Sequence, residues 1–271
     1  MSTNDKKSLF KLKIEKTLQH NNFHEELQWV LVSYDKDKEM KKCYVIFILK
    51  YFARELNQYS LQQNFYEVIC NGQPRHIYID YDKSYETSNH MFDMDDLQAN
   101  QFIAEFMTDI FNYLVMKGLD GEIYDCEWAI LTSTVNNETK KKISYHAILH
   151  IFNKKTRIPL MLTRNDVMKT LLQQIKTEIE DNTDNLSKIC HLQCIDFNVY
   201  GSNQNFRTIY STKYGEQTRM MPAYISGCVT YNLLTFQEST FITLMPNNQF
   251  ENADVLFNAM IEDSLELGFC S

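Results

Sequence analysis

The chain has 271 residues, 44% of them hydrophobic and 13% aromatic, which is enough for a large core in one big domain or two tightly joined lobes. Seven glycines and four prolines argue against a long flexible linker or a low-complexity segment. A net charge of −8 counts against a partner held by a global positive field, and the longest apolar run, "CYVIFIL" at 43–49, is too short to cross a bilayer. The opening "MSTNDKKSLFK" has no apolar signal-peptide core, so a soluble intracellular protein without a membrane partner is expected. Seven cysteines at irregular spacings read as free thiols of a reducing compartment. Cys190, His191 and Cys194 have no second cluster to complete a tetrahedral site, so no structural zinc is expected.

In chain order, residues 7–19 read as a short amphipathic helix, 43–49 as a buried strand and "YFARELNQ" as a helix after it. "FYEVIC" (65–70) is a strand; the turn "NGQP" and the strand "HIYIDYD" follow, in the order of a hairpin. Asp95 and Asp96 can cap a helix over 97–117, whose Phe102, Ile103, Phe106, Ile110, Phe111 and Leu114 fall on one stripe. Strands over 126–134 and 143–152 flank a Lys-rich loop. A second helix, 165–181, aligns Val167, Leu171, Leu172, Ile175 and Ile179. "LQCIDFNVY" (192–200) and "FRTIYST" (206–212) read as strands, and 225–262 alternates weak signals. The sum is an α+β protein with helices packed on largely antiparallel strands.

The chemistry begins at "RHIYIDYDKSY", residues 75–85. Alternation along this strand sends Ile77, Ile79 and Tyr81 one way and His76, Tyr78, Asp80 and Asp82 the other. Two carboxylates on one half-buried face repel each other and resist desolvation, and a divalent cation relieves both. On this stretch alone, the alternative is a strand end whose aspartates face water. In "ISYHAILHIF" the same alternation puts Ser144, His146 and His150 on one face. Ser144 and His146 can donate to a phosphate, with Lys142 adding charge, while His150 reads as structural. "CIDFNVYGSNQNFRTIYSTKYG" (194–215) adds a third acid, Asp196, and two cations, Arg207 and Lys213. Three carboxylates with Arg and Lys have the composition of a nucleotide–metal site. The basic runs at 140–142 and 154–157 are most simply solvated faces.

The order D-x-D, S-x-H, then a lone apolar-flanked Asp resembles the archaeo-eukaryotic primase superfamily. The PrimPol-like branch is the nearer match, and the amino-terminal domains of large-DNA-virus primase-helicases look similar. The third motif of that branch reads like "VDxxVYxxNxNFRxxxSSKxG" and stands here as "IDFNVYGSNQNFRTIYSTKYG"; "YEVI" (66–69) precedes the D-x-D strand at the branch's spacing. The resemblance spans roughly residues 40–220. It departs in having Asp82 where D-x-E is common and Gln204 where a basic residue is common.

The resemblance implies a primase-polymerase catalytic core over 1–271, with an RNA-recognition-like antiparallel sheet and an N-terminal α/β lobe. Approximate lobes are 1–75 with helix 97–117, and 76–271. It implies DNA-templated nucleotidyl transfer, as a primase, a primer-extending polymerase or both, with two Mg²⁺ or Mn²⁺ ions on Asp80, Asp82 and Asp196. Ser144, His146, Arg207, Lys213 and Lys142 are then expected to bind the incoming NTP or dNTP, Tyr66 to lie near its sugar, and Lys42 to meet the single-stranded DNA template. A helicase or single-strand-binding protein is the expected partner, in a nucleus or a viral replication compartment. No zinc-binding module follows, so a stand-alone enzyme and the front of a longer polypeptide both fit. The alternative of another class is a non-catalytic primase-like module that binds single-stranded DNA or a replication partner. A nicking endonuclease would need a His-x-His pair, which the sequence lacks.

Overall fold

A computed structural model describes residues 29–35, 42–49, 52, 56, 64–86, 96–136, 140–213, 215–216, 218–223, 240–243 and 249–267. The helices expected at 7–19 and after residue 50 lie outside the described residues, apart from Phe52 and Leu56, as does Asp95. The protein is mixed α+β.

Four antiparallel strands make the smaller sheet, in the order β2 (Lys42–Ile48), β1 (Trp29–Asp35), β3 (Phe65–Ile69), β9 (Gln204–Arg207). The larger sheet is organised by β7 (Lys140–Asn153), whose 14 residues serve several partners along both edges. β4 (Ile77–Glu86) lies on one side and β5 (Tyr124–Thr132) on the other. β6 (Val135–Asn136), β8 (Pro159–Met161), β10 (Met221–Pro222) and β11 (Glu251–Asn252) extend it, and among the described strands only the β8–β11 pair is parallel.

Among the described residues the helices are α1 (Asp96–Met116), α2 (Asn165–Asp181), the short α3 (Leu186–Leu192) and α4 (Asp254–Leu267), with a 3-10 turn at Phe197–Tyr200. α1 and α2 carry the expected apolar stripes. Phe102, Ile103, Phe106 and Ile110 of α1 and Val167, Leu171, Leu172 and Ile175 of α2 are buried in one core with Ile79, Tyr81, Tyr145 and Ala147 of the large sheet. α1 lies on the Tyr81 face of that sheet, where the Tyr81 and Phe102 ring centroids are 6.2 Å apart. A second core, with Val30, Val32, Leu49, Phe52 and Ile209, backs the smaller sheet. No described helix is long and apolar enough to cross a membrane.

Two expectations are corrected here. β3 and β4 do not form a hairpin: β3 pairs with β1 and β9, and β4 pairs with β7 in the other sheet. The chain turns at Gly72, whose φ of +79° only glycine adopts readily, and Arg75 then fixes its new direction. The Arg75 guanidinium is fully buried and donates to the carbonyls of Gln73 (2.9 Å), Cys70 (2.8 Å) and Thr163 (2.9 Å) and to Asn165. Glu67 of β3 is likewise buried. It accepts from the backbone N–H groups of Ile242 (2.8 Å) and Thr243 (2.7 Å) and from the Thr243 hydroxyl (2.6 Å). These long-range bonds, absent from any local pattern, separate the two strands.

The second correction is at 192–200, which is not a strand. α3 ends at Leu192, and a single bridge joins Ile195 to Tyr81 before the 3-10 turn begins. Asp196 caps that turn, its carboxylate accepting from the Asn198 N–H at 2.8 Å. At 206–212 only the first residues are extended, as the end of β9.

Candidate active site

The antiparallel register of β4 and β7 sets Asp80 opposite His146 and Asp82 opposite Ser144. Residues directly opposite share a face, so D-x-D and S-x-H form one four-residue patch. Residues 194–196 run along the other edge of β4. The Asp196 N–H donates to the Asp80 carbonyl (2.8 Å), and the Asp82 N–H donates to the Cys194 carbonyl (3.0 Å). Two tyrosines bolt this segment down: Tyr78 donates to the Val199 carbonyl at 3.0 Å, and Tyr200 donates to the Tyr78 carbonyl at 2.6 Å. Asp80 is therefore flanked by Asp196 on one side and His146 on the other.

The smaller sheet closes the site through β9. Phe206 packs on the His146 ring, with centroids 3.8 Å apart, and edge-on to Tyr78 at 5.3 Å. Arg207, the next residue, is opposite Tyr66 in the β3–β9 pair. Asp80, Asp82, Ser144, His146, Arg207, Lys213 and Tyr66 line one cleft of about 110 Å³, completed by Val199, Gln204, Asn205 and Phe206. Binding sites for whole small molecules run from about 300 Å³ upward, so this cleft has room for part of such a molecule rather than all of it. A larger groove, about 460 Å³, lies between α1 and α2; the ion pair of Lys188 with Asp109 (2.8 Å) spans its wall.

Burial pushes the Asp80 carboxyl up to about 7, and the neighbouring charges of Asp82 and Asp196 push the same way, against Lys142 and Lys213. His146 is held well below the ordinary imidazole range by burial and by the positive charges of Arg207 and Lys213, so its ring is neutral. Its Nε2 lies 3.7 Å from Asp80 Oδ1, beyond hydrogen-bond distance. Arg207 is buried: one guanidinium nitrogen donates to Ser133 Oγ at 2.6 Å, and its Nε–H has no partner among the described residues.

Among the described residues, no three His, Cys, Asp or Glu side chains stand together closely enough to hold a metal ion. Two of the three acids are engaged elsewhere, Asp82 Oδ2 with the Lys142 ammonium at 2.6 Å and Asp196 with the Asn198 N–H. Asp80 Oδ1 is the exception, buried with no hydrogen-bond partner among the described residues. A buried, unpartnered carboxylate oxygen with a second acid two residues away on the same face has the donor chemistry a divalent cation takes, although the side chains as they stand do not close into a set of three ligands.

The remaining expected residues fall near the cleft. Lys142 faces Asp82, and Lys42 lies behind Tyr66, its ammonium 3.8 Å from the ring centroid and 3.1 Å from Asp35. Sequence reasoning missed Ser133, whose backbone follows β5 and whose hydroxyl holds Arg207; nothing in its local pattern marks it. It also missed Phe206 and Asn205 as wall residues, although both stand inside "NQNFR". Asn205 is fixed by the Ser33 hydroxyl, which donates to its Oδ1 at 2.6 Å. No protein-family model matches the chain, and no curated protein is significantly similar to it.

Proposed function

We propose that the cleft is the active site of a divalent-cation-dependent nucleotidyl transferase. Within that class we read the chain as a DNA-templated primase-polymerase with a primase-polymerase catalytic core. The observation that carries the reading is the register that faces Asp80 and Asp82 with His146 and Ser144 while setting Asp196 beside Asp80. Two acids, Asp80 and Asp82, line one cleft with a cluster of phosphate-seeking donors, and the backbone of Asp196 is bonded to that of Asp80 at its edge.

In this reading Asp80, Asp82 and Asp196 hold Mg²⁺ or Mn²⁺. The ions supply activation of the primer 3′-hydroxyl and neutralisation of the departing pyrophosphate. The chain's own residues bind and orient. Arg207 presents its unpartnered Nε–H to a phosphate oxygen, and the hydrogen bond to Ser133 fixes the guanidinium plane. Lys213, exposed at the mouth, supplies a mobile charge. The neutral imidazole of His146 and the Ser144 hydroxyl donate hydrogen bonds without adding charge beside the acids. Phe206 keeps His146 in place and water out. Tyr66, opposite Arg207 in the β3–β9 pair and in the cleft wall, is the residue this reading assigns to the sugar.

Primer extension on a single-stranded template with Mn²⁺ or Mg²⁺, with and without a primer, tests the reading. Template-dependent incorporation that Asp80→Asn abolishes is the expected result. Template binding without incorporation under any of these conditions would instead make the chain a binding module.

A further inference from the structure

The pair Lys142–Asp82 has a geometry that alignment of the strands alone does not require. Lys142 is opposite Ser84, two residues along β7 from the Ser144 that faces Asp82. Its four-carbon stem reaches back diagonally so that the ammonium meets Asp82 Oδ2 at 2.6 Å. Asp82 is thus held by a cation from the protein itself, whereas the neighbouring Asp80 Oδ1 has no partner among the described residues. Both side chains of the pair keep access to solvent, 18% for Lys142 and 37% for Asp82. An ion pair of that exposure is weak, and a lysine stem has the freedom to swing away.

We propose that Lys142 is an exchangeable counter-ion at the cleft: it occupies Asp82 until a divalent cation takes that carboxylate, and the released ammonium then turns to the triphosphate. This rests on the nucleotidyl-transfer reading and adds an order of events to it. A cation that takes Asp82 competes with an internal one, so metal affinity is low by itself. Once displaced, the ammonium lacks its anion, and with Asp80 taken up by the same cation a polyphosphate entering beside Asp82 is the anion left for it. Metal and nucleotide then favour each other's binding through one side chain. The identity of residue 142 should set the strength of that coupling, because Arg grips a carboxylate with two parallel hydrogen bonds while Met grips none.

The test measures Mn²⁺ binding without nucleotide, by calorimetry or by the electron paramagnetic resonance of free Mn²⁺, on the full chain and its Lys142→Met and Lys142→Arg variants. Lys142→Gln serves as a second neutral variant, and thermal melts without metal check that each is folded. We expect Met and Gln to tighten Mn²⁺ binding about two- to fivefold, the range a weak ion pair allows, and Arg to loosen it. In a second arm, dATP binding by the Met variant should match the native chain without metal and fall about tenfold short at saturating Mn²⁺, for loss of one charge-assisted contact. Equal Mn²⁺ affinity in the native and Met proteins would overturn the exchange and leave the proposed activity standing. A dATP loss as large without metal as with it would also overturn the exchange, since it would mean that Asp82 does not hold the ammonium. Failure of both the native and Met proteins to bind Mn²⁺ would overturn the exchange and the proposed activity together.

Discussion

Replacing Asp80 by Asn should make the protein more stable and less useful. Burial and the charges of Asp82 and Asp196 raise its carboxyl from 3.8 to about 7, so the folded chain holds that proton more tightly than the unfolded chain does. The associated stability is fully present below pH 3.8 and is lost as pH rises through about 7. A rise of roughly three units corresponds to about 4 kcal/mol at 1.36 kcal/mol per unit. The side chain is 18% exposed, which leaves part of the charge solvated, and about 2–3 kcal/mol is the working figure. Asn keeps the shape and removes the charge. For a chain of this size 1 kcal/mol moves the melting temperature by about 2–4 °C. Asp80→Asn should therefore melt about 4–12 °C above the native protein at pH 8 in chelator, with most of the gap gone at pH 5. Added Mn²⁺ should raise the melting temperature of the native protein at pH 8 and leave the variant almost unmoved. Thermal melts at the two pH values, with chelator and with Mn²⁺, read all of this. A variant no more stable than native at pH 8, or a gap independent of pH, would refute the argument that Asp80 is a strained carboxylate awaiting a cation.

Asp82→Ala and Asp196→Ala should each abolish incorporation in primer extension with the fold intact, Asp196→Ala losing about 1 kcal/mol with its cap on the Asn198 N–H; native rates in Asp196→Ala would remove it from the metal assignment. Arg207→Ala and Lys213→Ala should each weaken dNTP binding, by about 2–4 kcal/mol for Arg207, with template affinity nearly unchanged. Only Arg207→Ala should also lower the melting temperature, because it alone is buried and holds Ser133; equal loss of template and nucleotide would put both residues in a DNA groove. Tyr66→His should shift the dNTP-to-NTP ratio of catalytic efficiencies toward ribonucleotides, by roughly tenfold if the ring crowds a 2′-hydroxyl, and an unchanged ratio would leave Tyr66 a wall residue only. Single-stranded DNA binding should fall with salt at a slope reflecting only a few phosphates, as the net charge of −8 demands a local basic strip; tight, salt-insensitive binding would contradict it.

Side-chain alternation is a local property of an extended chain, and that is why the polar faces of the site are legible in the amino-acid sequence. Asp80 with Asp82, and Ser144 with His146, need only a period of two. What the alternation leaves open is which strand lies beside which. Asp80 meets His146 across 66 positions of sequence, as their numbers show, because β7 offers β4 an edge, and no local pattern specifies that choice. The failed hairpin makes the same point from the other side. "FYEVIC" and "HIYIDYD" with a turn between them satisfy every short-range rule for pairing, yet Glu67 is claimed by residues 242–243 and Arg75 by carbonyls at 70, 73 and 163. Tyr66 consequently reaches the cleft through β9 and not through β4.

"IDFNVY" misleads for a different reason. Its β-branched and aromatic residues do what strand residues do, burying apolar area, but from a 3-10 turn that Asp196 caps and Tyr200 ties to β4. That turn carries an acid to Asp80 while spending its carboxylate on a backbone N–H, much as the diagonal reach of Lys142 occupies Asp82. The first engagement comes from a turn that the strand-like composition conceals and the second from a pairing of distant segments, so residue type and spacing can nominate the members of a charged site but not their partners. In the proposed reading the partners decide how readily the acids are released to a cation, and for that reason Lys142, whose side chain makes the contact, is where a change in metal affinity should be sought, whereas the N–H that caps Asp196 belongs to the backbone and survives a side-chain substitution at Asn198.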